Sequence, residues 1–264
     1  MYHCAMHDNL HRFRSAATFY TRYRPRYPQA LIARVAAHCG LDGTGRLMDL
    51  GCGPGFLAIA FAPYVAEAVG IDPEPDMLDE AAREVAAAGA KVTLVQGSSR
   101  DLGPQLGRFR MVTMGRSFHW MDRDATLRAL DALIEPGGSV ALFHAGDGGS
   151  QWMAVYEDVA RAWVSPELWA DRQTRRSPDW ERHDVVLARS AFSRLERIKE
   201  PMTRTSTTDE LVGRALSMSM TTPAALGEKR AGFEAALREA LQAIAPAGTL
   251  EEHVAADALI AQRP

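Results

Sequence analysis

The chain has 264 residues, of which 47% are hydrophobic and 24% charged, the composition of a globular protein long enough to bury a sizeable core. Its 30 Lys+Arg against 33 Asp+Glu leave a net charge of −3, which provides no general attraction to nucleic acid or to an anionic membrane surface. No apolar run approaches the roughly 18 residues that span a bilayer, so neither a membrane nor a nucleic acid is expected as a partner.

Residues 1–19 read as a polar, partly flexible leader without the apolar stretch of a secretion signal. The 3 cysteines make a poor disulfide framework, and a cytoplasmic location is expected. His3, Cys4, His7 and His11 cluster here, and Cys4, His7 and His11 would share a face in a helix. With no second ligand cluster to close a site, no metal is expected. Leu31, Ile32, Val35, Ala36 and Cys39 then follow helical spacing behind Pro28. Arg46–Leu50 predicts a strand, Phe56–Pro63 a short helix, Ala68–Asp72 a second strand and Asp76–Ala88 an alanine-rich helix stopped by Gly89. Val92–Gln96 and Arg110–Met114 predict strands three and four. Asp122 or Asp124 caps a helix carrying Leu127, Leu130 and Ile134, and the turn 135–138 leads into a fifth strand, Ser139–His144. This alternation predicts a doubly wound parallel sheet.

After His144 the pattern changes. Residues 146–150 open a long excursion holding Trp152, Trp163, Trp169 and Trp180, which suits either a pocket wall or helices packed on a sheet edge. Arg172, Arg175 and Arg176 suit either a solvated helix face or a site for an acidic compound. Ser193–Thr205 predicts a strand, Leu226 to Ile244 a long helix, and His253–Ala261 a final strand, the two late strands joining the sheet as an antiparallel pair.

The chemistry is concentrated in Asp49-Leu50-Gly51-Cys52-Gly53-Pro54-Gly55, where a strand runs into a glycine turn and then a helix. Such a turn lets the backbone approach a ligand, and the helix start offers N–H groups with partial positive charge. A dinucleotide fingerprint needs a third glycine where Phe56 stands, so a smaller anion such as an amino-acid carboxylate is also compatible. Asp72 ends the second strand about 20 residues on, the place of a carboxylate that accepts from ribose hydroxyls.

With these features the chain resembles the class I S-adenosylmethionine-dependent methyltransferases. Residues 49–55 match that family's first motif, and Gly70-Ile71-Asp72-Pro73 resembles its second-strand acidic motif. Tyr20-Thr21-Arg22-Tyr23-Arg24-Pro25-Arg26-Tyr27-Pro28, Ser117-Phe118-His119-Trp120 and Pro136-Gly137-Gly138 resemble segments of its small-molecule branch, which includes trans-aconitate methyltransferase-like proteins. The resemblance implies a Rossmann-like seven-stranded sheet with its last strand antiparallel and a helical cap. It implies one methyltransferase domain over 1–264, with a cofactor-binding core at 20–145, cap elements at 146–192 and 206–245, and final strands at 193–205 and 250–262.

It also implies S-adenosyl-L-methionine as cofactor and S-adenosyl-L-homocysteine as product. Gly51, Cys52, Gly53 and Gly55 would approach the methionine part, with Asp49 near its amino group. Asp72 would hold the ribose, and Pro73 and Met77 would flank the adenine. Tyr20 and Arg24 would close over the methionine end, and Ser117 would complete the cradle. The family often places an acidic residue after the third strand. Here Gly97, Ser98 and Ser99 stand there, with Asp101 slightly later, and a serine contact to the adenine is expected instead.

Methyl transfer from a sulfonium is an in-line displacement in which the protein supplies position and a dry site. Tyr20, Phe118 and Trp120 offer aromatic faces to the cation, and Phe118 and Trp120 are expected to touch the acceptor. His119 and His144 end strands four and five, and either is a candidate general base. The expected activity is methylation of a small molecule on oxygen, nitrogen or carboxylate. The alternatives are a nicotinamide-dependent oxidoreductase, against which Phe56 counts, and a relative that binds cofactor without turnover.

Overall fold

The computed structural model describes residues 13, 15–145 and 150–264. In chain order the elements are α1 (Ala17–Tyr23), α2 (Gln29–His38), β1 (Arg46–Leu50), α3 (Phe56–Phe61), β2 (Glu67–Asp72), α4 (Pro75–Ala88) and β3 (Val92–Gln96). There follow β4 (Phe109–Gly115), α5 (Arg123–Leu133), β5 (Ile134–Ala145), α6 (Gln151–Trp163), α7 (Pro166–Thr174) and α8 (His183–Ala188). The remainder comprises β6 (Arg194–Thr207), α9 (Thr208–Leu216), α10 (Pro223–Leu226), α11 (Arg230–Gln242) and β7 (Thr249–Gln262). Two compact units result. The sheet unit comprises Arg26–Ala145, Glu181–Glu200 and Ala256–Pro264; the helical unit comprises the described parts of Met1–Pro25, Gly146–Trp180 and Pro201–Ala255.

The seven strands are ordered β3-β2-β1-β4-β5-β7-β6. β1 pairs in parallel with β2 and β4, β2 with β3, and β4 with β5, whereas β7 runs antiparallel to β5 from Ser139↔Gln262 to Ala145↔Ala256. Central parallel strands are covered on both faces, which is why successive residues of β1, β2 and β4 are buried rather than every second one. Strand order reverses between β1 and β4, so the crevice for a ligand opens at the carboxyl ends of these strands.

Helix α5 lays Leu127, Leu130 and Leu133 into the core beside Phe109 and Val140. Of the two candidate caps, Asp122 acts: its carboxylate accepts from Ala125 N at 2.9 Å. The fifth strand begins earlier than expected. Ile134 already pairs with Phe109, and the register slips before Met111 meets Ser139. Residues 135–138 bulge out between these pairs because Pro136 has no N–H for a ladder. Residues 181–192, grouped with the cap in the sequence reading, pack in the sheet unit, where Val186, Leu187 and Phe192 join the core of Leu127 and Leu130.

The helical unit has its own core, built from Trp152, Tyr156, Leu211, Phe233, Leu237 and Leu241. The tryptophans of α6 and α7 thus pack helix on helix, with Trp163 and Trp169 against the same cluster. Glu252 is buried between Arg204 (2.7 Å) and Arg214 (3.0 Å), and the Arg214 guanidinium lies over the Trp152 ring at 5.0 Å. Arg172 and Arg176 both pair with Glu157, and Arg175 pairs with Asp171. Two carboxylates thus hold the three arginines, and Arg176 remains about half exposed. No helix among the described residues is long and apolar enough to cross a membrane.

Candidate active site

The glycine turn follows β1 directly. Gly51 N and Cys52 N both donate to Ile71 O, at 2.8 and 3.0 Å, which ties the turn to the end of β2. Gly51 (φ 68°) and Gly53 (φ 52°) hold left-handed backbone that L side chains rarely adopt. The two differ in their surroundings. A Cβ on Gly51 would lie 2.6 Å from Ser117 Cβ, whereas one on Gly53 would meet nothing nearer than Met77 Sδ at 3.9 Å. Gly51 is thus required by packing, and Gly53 leaves room above the turn.

Two buried carboxylates organise this turn. Asp72 accepts from Gly53 N at 2.7 Å through one oxygen and from Glu74 N at 3.0 Å through the other. Burial raises its pKa, and these two backbone bonds pull it back. Each carboxylate oxygen has two lone pairs, so a ribose hydroxyl can still be accepted. Asp49 is 1% exposed and accepts from Thr113 Oγ1 at 2.9 Å and from Ala58 N at 3.2 Å. Ala58 lies in the first turn of α3, whose N-cap Gly55 offers no side chain, so Asp49 caps that helix from the neighbouring strand. Burial pushes the Asp49 carboxyl up to about 7.

The other expected cofactor residues fall as follows. Met77 is buried and reaches Gly53. Pro73 O accepts from Gln96 Nε2 at 3.4 Å. Gly97 N donates to Asp72 O, and Ser98 donates through both N and Oγ to Asp101, at 2.7 and 2.8 Å. The bond from Ser98 N holds the Asp101 carboxyl below its usual range, so this acid stays charged at the end of β3. Ser99 lies in the same turn. The Cys52 thiol packs back toward Gly70, and burial pushes its pKa up, so Cys52 has its main chain to offer a ligand. Ser117 Oγ donates to Leu50 O at 2.8 Å. Phe56, where a dinucleotide fingerprint has glycine, starts α3 beneath the Arg26 guanidinium at 4.3 Å. Tyr20 and Arg24 belong to the helical unit, where Arg24 Nε donates to Ser217 Oγ at 2.7 Å and its guanidinium lies over the Tyr20 ring at 5.2 Å.

Beyond β4 a short 3₁₀ turn carries Phe118, His119 and Trp120. Phe118 is buried in the core, and the His119 ring lies 4.6 Å from that of Trp120. His144 is exposed near the end of β5. The sequence reading missed two residues here. Arg116, ahead of this turn, is the non-glycine residue with positive φ (58°) among the described residues, and its guanidinium sits 5.3 Å from the Tyr27 ring. His183, far along the chain, brings its ring 5.2 Å from Phe118 and 6.4 Å from His119. No spacing in the sequence links His183 to β4; the core contacts of α8 bring it there. No group of metal-binding side chains occurs among the described residues, and His3, Cys4, His7 and His11 lie outside them.

Residues 47–138 match the family model described as "Methyltransferase domain". That stretch, from β1 to the turn before the paired part of β5, is thus similar to the methyltransferase domain family. Over 108 residues the chain is 36% identical to a ubiquinone biosynthesis O-methyltransferase of Methylococcus capsulatus, covering 40% of this chain and 45% of that protein. Over 139 residues it is 27% identical to an uncharacterised methyltransferase of Mycobacterium tuberculosis, covering 53% of this chain and 54% of that protein. The chain thus spans about half the length of the relatives it matches. In architecture it is similar to a methyltransferase from Thiobacillus denitrificans solved with S-adenosyl-L-homocysteine (TM-score 0.53, 16% identity, 96% of this chain and 98% of that one).

Proposed function

We propose that this protein binds S-adenosyl-L-methionine over the turn between β1 and α3, transfers its methyl group to a small molecule and releases S-adenosyl-L-homocysteine. One observation carries the reading: the Asp72 carboxylate is bonded to Gly53 N at 2.7 Å, so a ribose acceptor and the glycine cradle are fixed to each other. The residues suit such a cofactor. Room lies above Gly53, the side of Met77 offers an apolar surface, and Asp72 keeps lone pairs for hydroxyls. Asp49 holds α3 in place and sits below the turn, where an ammonium group would favour its charged form. The relatives named as methyltransferases, and the homocysteine compound held by the Thiobacillus protein, support the same reading.

When bound, the cofactor supplies an activated methyl carbon. The protein's part is to orient the acceptor and, where the acceptor must lose a proton, to take it. His119, at the end of β4, is the base in this reading, with His144 at the end of β5 as the second candidate. Trp120 frames the acceptor side, whereas Phe118, expected there, is buried in the core behind it.

Titration calorimetry with S-adenosyl-L-homocysteine tests the proposal. Gly53→Val and Asp72→Ala are each expected to weaken binding about tenfold or more, as loss of a charge-assisted hydrogen bond does. Unchanged affinity in both folded variants refutes it. Incubation with labelled cofactor and a metabolite panel then tests transfer.

A further inference from the structure

Two buried carboxylates flank the glycine turn, Asp49 on β1 and Asp72 on β2, at 1% and 7% exposure. Among the described residues no cationic side chain is paired with either. The titratable groups around Asp49 are Asp72 from β2 and the Cys52 thiol from the turn, and burial pushes that thiol up, so it stays neutral. β4 presents the Thr113 hydroxyl to Asp49, and α3 presents the N–H of Ala58. Two like charges buried together oppose each other, so one carboxyl of such a pair keeps its proton more readily than the other.

The hydrogen bonds decide which one. Asp72 faces backbone N–H groups through both oxygens, Gly53 N at 2.7 Å and Glu74 N at 3.0 Å. An amide N–H donates and cannot accept, so these two bonds serve the carboxylate and favour a charged Asp72. Asp49 is built differently. One oxygen accepts from Ala58 N at 3.2 Å, but the other faces Thr113 Oγ1 at 2.9 Å. A hydroxyl donates to a carboxylate and can equally accept from a carboxyl O–H. The site therefore accommodates Asp49 with or without a proton while α3 keeps its cap. Burial and the charge of Asp72 place the titration of Asp49 at about 7, against the opposing pull of its two hydrogen bonds.

We infer that a proton resides on Asp49 rather than Asp72 in the unliganded protein, and that a cationic ligand seated on the turn displaces it, so that loading of the cofactor is coupled to proton release. This rests on the cofactor reading above and adds a regulation to the same site. The ammonium group of S-adenosyl-L-methionine or S-adenosyl-L-homocysteine supplies the positive charge that the chain itself does not place beside these carboxylates. The O–H bond of Asp49 breaks, its electron pair stays on the carboxylate, and the proton passes to water. Below the midpoint of Asp49 a proton has to leave before the ligand is held, so affinity falls; above it none has to leave. With that midpoint at about 7, S-adenosyl-L-homocysteine should bind about tenfold more tightly at pH 8 than at pH 6, releasing about half a proton per site at pH 7.

Three measurements test the inference. Carboxyl-carbon NMR of the unliganded protein, with Asp49→Asn identifying the signal, is expected to show Asp49 titrating near neutrality and above Asp72; the reverse order overturns the assignment. Calorimetry with S-adenosyl-L-homocysteine in phosphate and in Tris counts the protons released at pH 7, and a count of zero overturns the coupling. Finally, 5′-methylthioadenosine offers a ribose without an ammonium group, and its affinity should not change between pH 6 and pH 8. A pH dependence equal to that of the homocysteine compound moves the proton to Asp72 and overturns the inference. Asp49→Asn should bind the homocysteine compound without proton release and with a flat pH profile. If that variant does not fold, Thr113→Val, which removes a donor to the charged form, should move the profile to higher pH, while Thr113→Ser leaves it in place; an unmoved profile in Thr113→Val overturns the role of the hydroxyl. Failure of the wild type to bind the homocysteine compound at every pH, with Asp49 titrating near neutrality, removes the cofactor reading and the coupling with it.

Discussion

Gly51→Ala separates what packing demands of the glycine turn from what its backbone demands. The substitution places a Cβ 2.6 Å from Ser117 Cβ and 2.9 Å from its Oγ, at φ 68°. The left-handed conformation costs a non-glycine residue roughly 1–2 kcal/mol, and forcing a methyl group into a filled space costs about 1–3 kcal/mol more. Gly51→Ala should therefore lose about 2–5 kcal/mol of folding stability. Gly53→Ala shares the positive φ, yet its Cβ meets nothing nearer than 3.9 Å, so it should lose about 1–2 kcal/mol. Urea denaturation followed by tryptophan fluorescence measures both. Ser117→Gly in the Gly51→Ala background removes the obstructing atoms, so the pair should show a favourable coupling of about 1–3 kcal/mol. Equal losses in the two glycine variants, or additive effects in the double variant, would show that Ser117 is not what confines Gly51.

Thr113→Val removes one of the two donors to the buried Asp49 carboxylate, and should cost about 1–3 kcal/mol in the same denaturation assay. Asp49 titrates near 7 when folded against an unfolded value near 4, so the native state holds a proton that the unfolded chain has released. Its contribution to stability is present below about pH 4 and is lost as pH rises toward 7; the stability of Asp49→Asn relative to the wild type should climb across that window, as measured by denaturant midpoints at each pH. Glu252→Gln leaves the buried Arg214 and the adjoining Arg204 without their carboxylate, and a loss of about 3–5 kcal/mol is expected in urea.

Much of the sheet unit was legible because its signals are local. Gly51 to Gly55 punctuate the chain between an apolar strand and a helix, and β1 and β3 run over the residues that their apolar runs mark out. The start of β5 was not legible. Glu135-Pro136-Gly137-Gly138 has the composition of a turn, and only the pairing of Ile134 with Phe109 shows the strand beginning before it. In the helical unit, α9 carries a signal that could have been read: Thr207 accepts from Glu210 N while the Glu210 carboxylate takes Thr207 N, the reciprocal arrangement announced by Thr-x-x-Glu. His183 could not have been found this way. Its place beside His119 depends on Val186 and Leu187 entering the core, a contact between distant segments.

The position of β7 bears on how the molecule is made. This strand lies between β5 and β6 in space although it follows both in the chain. While a ribosome is still delivering residues 208–248, β5 has no neighbour on its far side, and its apolar residues from Val140 to Phe143 line an open border. A nascent chain in that condition is a substrate for holding chaperones and for wrong pairing with its own kind, and arrest of translation shortly before Thr249 should be the moment of greatest vulnerability.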